Sequence, residues 1–287
     1  VNLPASDYRC YRHPDREAYI SCQRCERLIC PECMNDASVG FQCPSCIAEG
    51  AKSVRAPRTM AGGLVSTNVG TVSMVLIAIN VAAYLLTLAT GGTDGSVFQH
   101  GAMLAESRFN LDGEVLKGVS DGAYWRLLTS AFLHENVLHI AFNMYALYLF
   151  GPFVERALGR VRFIAAYLTM SVGASVFVYW LSGPGTLTIG ASGAIFGLFG
   201  MALILMLKAK QDVSTLLVLL GINAFISTQG NISWQGHLGG FVFGCLLGVV
   251  FAYAPRDRRT LVQAGAMVAL WAGIVIAVVL RTNQLTG

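Results

Sequence analysis

From residue 70 onward the chain is dominated by apolar runs, at 70–90, 132–151, 162–181, 192–207, 213–228, 235–254 and 261–280. Each is close to the roughly 20 residues an α-helix needs to cross about 30 Å of hydrocarbon. The 192–207 and 213–228 runs are short and suit helices enclosed by their neighbours. The pattern predicts an all-α polytopic membrane protein with seven spans. Composition agrees: 54% of the 287 residues are hydrophobic and only 13% are charged, about half the charged fraction of an ordinary soluble domain. A formal net charge of +4, dispersed along the chain, excludes a nucleic-acid partner.

The connections between runs predict an orientation. Lys52, Arg55 and Arg58 precede the first run. Glu155, Arg156, Arg160 and Arg162 separate the second from the third. Lys208, Lys210 and Asp212 follow the fourth, and Arg256, Asp257, Arg258 and Arg259 follow the sixth. The alternate connections are poor in basic residues, and the long 91–126 loop is net acidic. Basic loops stay cytoplasmic, so the N-terminus is expected inside and the C-terminus outside. The first 60 residues are polar and lack the early apolar run of a cleavable signal peptide.

Seven of the eight cysteines lie before residue 50. With one histidine they form four pairs of two-residue gap: Cys10/His13, Cys22/Cys25, Cys30/Cys33 and Cys43/Cys46. Zinc favours four thiolate or imidazole ligands, often in such knuckles. Eight ligands make two structural zinc sites and leave no open coordination position for catalysis. Alternate pairing of the knuckles and sequential pairing both satisfy the spacing. An odd cysteine count with a histidine in register argues against disulfides, and a segment this small needs metal to compensate for a thin core. The expected organisation is a cytoplasmic zinc-binding domain over 1–50, B-box-like or ribbon-like, able to recruit a cytosolic partner. A basic and glycine-bearing linker over 51–69 follows. A six-helix core over 70–255 precedes a cytoplasmic loop, seventh span and short external tail over 256–287.

Polar side chains inside apolar runs are costly and therefore point to function. With the predicted orientation, Ser192 lies in the first turn of the fourth span and His237 about one turn into the sixth, both at the outer side. His139 and Asn143 in the second span share one helix face, being four residues apart, and reach a similar depth. A serine hydroxyl needs a base within hydrogen-bond reach, and His237 is the candidate. His139, Asn143 and the Ser192 amide can donate to a developing oxyanion. No acidic residue in the sixth span orients His237, so a dyad is expected rather than a triad. Gly193, Gly197, Gly236, Gly240, Gly244 and Gly248 supply small faces on which the fourth and sixth spans can meet, and Phe196 can pack its ring on the imidazole. Glu155, beside Arg156, reads as a solvated or interhelical ion pair, Trp125-Arg126 as an interface anchor with a headgroup-binding arginine, and His134 as a residue capping or hydrogen-bonding in the outer loop.

Taken together, Trp125-Arg126, the run His134–His139–Asn143, the spacing Gly151–Glu155–Gly159, Gly190-Ala191-Ser192-Gly193 and His237 with Gly240 and Gly244 resemble the rhomboid intramembrane serine proteases over residues 70–255. The resemblance implies a rhomboid-like six-helix fold, to which the seventh span and the zinc domain are additions. It implies a Ser192/His237 dyad, no catalytic cofactor, and an oxyanion hole at His139, Asn143 and the Ser192 amide. Substrates would be transmembrane proteins whose helices unwind easily, cut near the outer membrane face, commonly after small residues. Trp125 and Arg126 would lie in a lipid-embedded first loop, and the fifth span with residues 229–233 would gate substrate entry. Phe196 stands where some members carry tyrosine. The expected location is a membrane, by default a bacterial plasma membrane, with lipid contacts all round. A non-proteolytic rhomboid-like chaperone would lack the serine or histidine, and both are present here. A transporter using His139, Asn143 and His237 would favour internal repeats and a midplane site, and no convincing repeat is evident.

Overall fold

The computed structural model describes residues 8–53, 57–110, 113–229 and 232–287. Arg55 and the centre of the 229–233 segment lie outside the described residues. The chain divides into two compact units, 1–57 and 58–287.

The first unit is two small antiparallel hairpins followed by a helix. Strands β1 (Ile20–Ser21) and β2 (Leu28–Ile29) pair, as do β3 (Asn35–Asp36) and β4 (Phe41–Gln42), and α1 covers Pro44–Ser53. Its interior is mostly sulfur. Cys10, Cys22, Cys30, Cys33, Cys43 and Cys46 are buried with Ala18 and Ile29, and none of the cysteines forms a disulfide. That is too little apolar side chain to hold so short a segment by burial alone.

The second unit is a helical bundle. Helix α2 (Thr71–Ala89) leads into a long loop. The loop carries α3 (Ser96–Gly101), a hairpin of β5 (Arg108–Phe109) with β6 (Val115–Leu116), and the single turn α4 (Arg126–Thr129). The bundle continues through α5 (Val137–Leu158), α6 (Arg160–Leu181), α7 (Ser192–Lys208), α8 (Ser214–Ser227), α9 (Trp234–Tyr253) and α10 (Arg259–Thr286). The predicted all-α character holds. Among the described residues five helices, α2, α5, α6, α9 and α10, are long and apolar enough to cross a membrane, while α7 and α8 are shorter apolar helices of 17 and 14 residues. At 1.5 Å per residue those two reach only about 25 and 21 Å. Of the pair, α7 is enclosed as expected, whereas α8 lies at the periphery with only Leu216 and Ser227 buried.

Large apolar side chains point outward on several helices, including Ile79 and Leu85 of α2, Phe142 and Tyr145 of α5, Phe225 of α8 and Val268 of α10. So much exposed apolar surface suits hydrocarbon and would drive aggregation in water. The molecule is an integral membrane protein.

Three features hold the frame. Helix α2 begins at Gly70 without a side-chain cap of its own. Its free N–H groups are met by buried Glu155 of α5, which accepts from Val72 N (3.2 Å), Ser73 N (3.0 Å) and Ser73 Oγ (2.9 Å). Glu155 is thus the cap of a neighbouring helix, where the positive end of the helix dipole favours a carboxylate; its contact is interhelical, but with backbone N–H groups and a hydroxyl instead of a cation. Residues 59–63 form a tight turn whose buried Ala61 donates to Ala157 O (3.0 Å) and accepts from Gln263 Nε2 (3.0 Å). Gln263 in turn accepts from Arg162 Nε (2.8 Å), so one side chain joins the turn, α6 and α10. Farther along, α10 is pinned to α6 by Trp271 Nε1 to Thr169 Oγ1 (3.1 Å), Trp180 Nε1 to Ala277 O (3.0 Å) and Tyr179 with Thr282 (2.9 Å). Lipid offers no hydrophobic drive between helices, so close packing and polar pins carry the association.

Candidate active site

Helices α7 and α9 meet backbone to backbone. A Cβ placed on Gly240 would lie 1.7 Å from Gly193 O, and one on Gly244 would lie 2.0 Å from Gly197 O. A Cβ on Gly200 would fall 2.5 Å from Phe241 O. Only glycine tolerates this approach, and the seam sets the first turn of α7 beside the first turn of α9. Ser192 opens α7, and His237 sits one turn into α9. The Phe196 ring, one turn beyond Ser192, stacks on the His237 imidazole with centroids 4.0 Å apart and planes within 10°. Ser192 and His237 are both half-buried. In this state Ser192 Oγ makes no hydrogen bond to another described residue, and no direct bond joins it to His237.

The other ring nitrogen of interest, His237 Nδ1, lies 2.5 Å from Ser227 Oγ at the end of α8. Ser227 is buried, and its hydroxyl also bonds Asn223 O one turn back at 2.7 Å. Ser227 was not among the expected site residues. It belongs to no motif, and a hydroxyl near the end of an apolar run carries no signal of what lies across from it.

His139 approaches from α5. Asn136 caps that helix, its side chain accepting from His139 N at 2.9 Å, so His139 sits in the first turn. The imidazole covers Gly190, where a Cβ would lie 2.8 Å from His139 Nε2. Gly190 has φ of 121°, and its N–H donates to Ser130 O at 2.9 Å. The stretch before Ser192 is tied to the long loop by reciprocal bonds between Met103 and Thr188 (2.8 and 3.0 Å). Asn143, one turn along from His139, is buried and donates Nδ2 to His139 O at 2.9 Å. The four expected site residues therefore come from three helices converging on one end of the bundle. Beside Ser192 opens a cleft of ≈ 350 Å³, open space included, with Gly190, Ser130, Ser175, Thr188 and Ser233 among its walls. Hydroxyls on its walls can hydrogen-bond water.

Two loop residues differ from expectation. Arg126 is fully buried and donates inward to Lys117 O (2.7 Å), Gln99 O (2.9 Å) and Ala102 O (2.5 Å). It organises the loop from within instead of reaching a lipid headgroup, while Trp125 donates to His100 O at 3.1 Å. Burial pulls the guanidinium down to about 10, still charged at neutral pH. His134 is fully buried, and neither ring nitrogen has a partner among the described residues. Its ring meets His139 edge-on at 5.0 Å. Burial, with the neighbouring His139, pushes its imidazole down to about 3, so it is neutral.

In the first unit the ligand atoms fall into two groups, Cys10, His13, Cys30, Cys33 and Cys22, Cys25, Cys43, Cys46, each with its donor atoms within 4.8 Å of one another. The knuckles alternate between the groups. Cys25 Sγ and Cys43 Sγ are 3.7 Å apart, and His13 Nδ1 is 3.3 Å from Cys30 Sγ and 3.4 Å from Cys33 Sγ. Tetrahedral zinc with Zn–S near 2.3 Å requires S···S of about 3.8 Å, so the clusters fit one such ion each.

Residues 121–254 match the Rhomboid domain family. YdcA of Bacillus subtilis (strain 168), named for the rhomboid proteases, is 36% identical over 150 residues, which span 50% of this chain and 74% of YdcA. The chain belongs to the rhomboid family. The rhomboid protease AarA of Providencia stuartii is 26% identical over 217 residues, 65% of this chain and 74% of AarA. The rhomboid protease GluP of B. subtilis (strain 168) is 32% identical over 165 residues, 55% of this chain but 32% of GluP. The rhomboid match begins in the long loop and ends after α9, and so contains Ser192, His237, His139 and Asn143.

Proposed function

We propose that this rhomboid is an intramembrane serine endopeptidase that cuts transmembrane proteins through Ser192 and His237. The observation that carries the reading is the glycine seam, which sets the opening turns of α7 and α9 side by side with Phe196 stacked on the imidazole. His237 removes the Ser192 proton as Oγ attacks the scissile carbonyl, and later returns it to the leaving amine. The Ser192 N–H, His139 and Asn143 donate to the oxyanion. Asn143 holds one Nδ2 proton on His139 O and has a second to offer. Water reaching the ester through the cleft beside Ser192 completes hydrolysis.

The basic connections support a cytoplasmic N-terminal unit and a site toward the exterior. Helices α7 and α8, too short to cross alone, complete a six-helix core with α2, α5, α6 and α9, and α10 adds a seventh span. Each cluster, Cys10, His13, Cys30, Cys33 and Cys22, Cys25, Cys43, Cys46, would hold one structural zinc ion, making the N-terminal unit a small zinc domain suited to binding a cytosolic partner.

The deciding experiment is cleavage of a transmembrane reporter by purified wild type and Ser192→Ala in liposomes. Wild type is expected to cut and the variant to fall to background, a loss of at least about 10³-fold. Equal cleavage by both removes the mechanism, and reporter retention without cleavage by wild type favours a chaperone.

A further inference from the structure

We propose that Ser227 is a positioning residue for His237, supplying from a neighbouring helix the acceptor that a carboxylate supplies in a Ser-His-Asp triad. The inference rests on the reading of Ser192 and His237 as nucleophile and base.

A base on a membrane helix faces two orientational problems. Its ring plane must be held, and within that plane one nitrogen must face the nucleophile. Stacking on Phe196 fixes the plane. Stacking alone does not choose between a ring and its flipped counterpart, which exchanges nitrogen and carbon positions. The Ser227 contact at Nδ1 makes that choice and leaves Nε2 as the free nitrogen.

The proton inventory defines what Ser227 can do. A serine hydroxyl has one proton and two lone pairs. Asn223 O is an acceptor only, and at 2.7 Å it can take the Ser227 proton. The lone pairs of Ser227 Oγ are then free to accept Nδ1–H. This arrangement selects the neutral tautomer with an unprotonated Nε2, which is the form a general base requires. It matters more once Nε2 has taken the Ser192 proton, because an imidazolium donates from both nitrogens. An unpaired N–H on a buried cation is expensive where the local dielectric is low. The relay Nδ1–H to Ser227 Oγ–H to Asn223 O answers that need with neutral groups, and no proton leaves the ring at Nδ1.

The location of Ser227 gives the relay a second consequence. Of α8, only Leu216 and Ser227 are buried among the described residues. The partner of the base thus resides on a helix at the periphery of the bundle. Displacing the Ser227 end of α8 releases His237 from its preferred flip.

The test is steady-state cleavage of the transmembrane reporter by the full chain in liposomes, comparing wild type, Ser227→Ala, Ser227→Thr and Ser192→Ala. Ser227→Ala is expected to lower kcat by about 10- to 100-fold with KM within about twofold, as for removal of other groups that orient a catalytic or liganding imidazole. Ser227→Thr, which keeps the hydroxyl, is expected to restore kcat to within about threefold. Wild-type kcat in Ser227→Ala, an effect confined to KM, or equal losses in Ala and Thr would overturn the proposal. A dead Ser192→Ala beside a fully active Ser227→Ala sinks the positioning role alone, whereas an active Ser192→Ala sinks the underlying mechanism. Histidine ¹⁵N spectra of the wild type, with His237 assigned by its loss in His237→Gln, provide a check that needs no Ser227 variant. Protonation of Nδ1 in the neutral ring is expected, and protonation of Nε2 would overturn the proposal.

Discussion

Gly190 illustrates how much of the site depends on what a residue lacks. Its φ of 121° is open to glycine at little cost, and the space beside its Cα is filled by the His139 ring. Gly190→Ala is expected to displace that ring, destabilise the protein by about 1–3 kcal/mol and depress reporter cleavage more than thermal stability alone explains. Parallel cleavage and denaturation measurements check this. At this scale legibility followed chemistry. Ser192, His139, Asn143 and His237 stand out because polar groups are rare in apolar runs, and the structure gathers them at one end of the bundle. Glu155 reads in the sequence as a solvated or interhelical ion pair because a carboxylate among arginines suggests a cationic partner, whereas a helix N-terminus offers N–H groups that composition does not reveal. Its real partners are some 80 residues away on α2. Arg126 misled for a related reason: a guanidinium beside a tryptophan has the composition of an interface anchor, and only the folded loop reveals carbonyls converging on it.

Among elements, the α7–α9 seam is the least forgiving contact. Gly240→Ala sets a methyl carbon 1.7 Å from a carbonyl oxygen of the opposite helix, and backbone cannot rotate aside as a side chain can. The helices must separate, with an expected loss above about 2 kcal/mol and near-complete loss of cleavage, since Ser192 and His237 ride on the two partners. Gly265→Ala on α10, where nothing lies within 4 Å, is the matched control. It is expected to be neutral or to stabilise by up to about 1 kcal/mol. Denaturation of both variants in the same detergent separates them, and equal effects would show that the seam is not special. The small-residue spacing exposed this contact in advance, because a stripe of glycines lies on one helix face whatever its surroundings. The position of α8 was hidden, because an apolar helix of 14 residues has the same composition whether protein or lipid surrounds it.

At the scale of the whole molecule, the chain joins two units stabilised by different physics. One relies on lipid, glycine contacts and a few polar pins, while the other gathers eight side chains able to ligate metal around a minimal core. The four knuckles were evident from spacing, but their pairing depends on how the β1–β2 and β3–β4 hairpins turn, which two-residue strands do not announce. Because the knuckles alternate, each cluster is built from segments that bracket part of the other. Stripping one ion would loosen the loops that carry ligands to its twin. Titrating the intact protein with a chelator is therefore expected to release both zinc ions in one step, with α1 and the hairpins melting together while the membrane helices persist. Two separate releases, followed by metal analysis and circular dichroism, would show that the sites are independent. Interlocked in this way, the N-terminal unit would answer metal scarcity as an all-or-nothing latch rather than as a graded gauge.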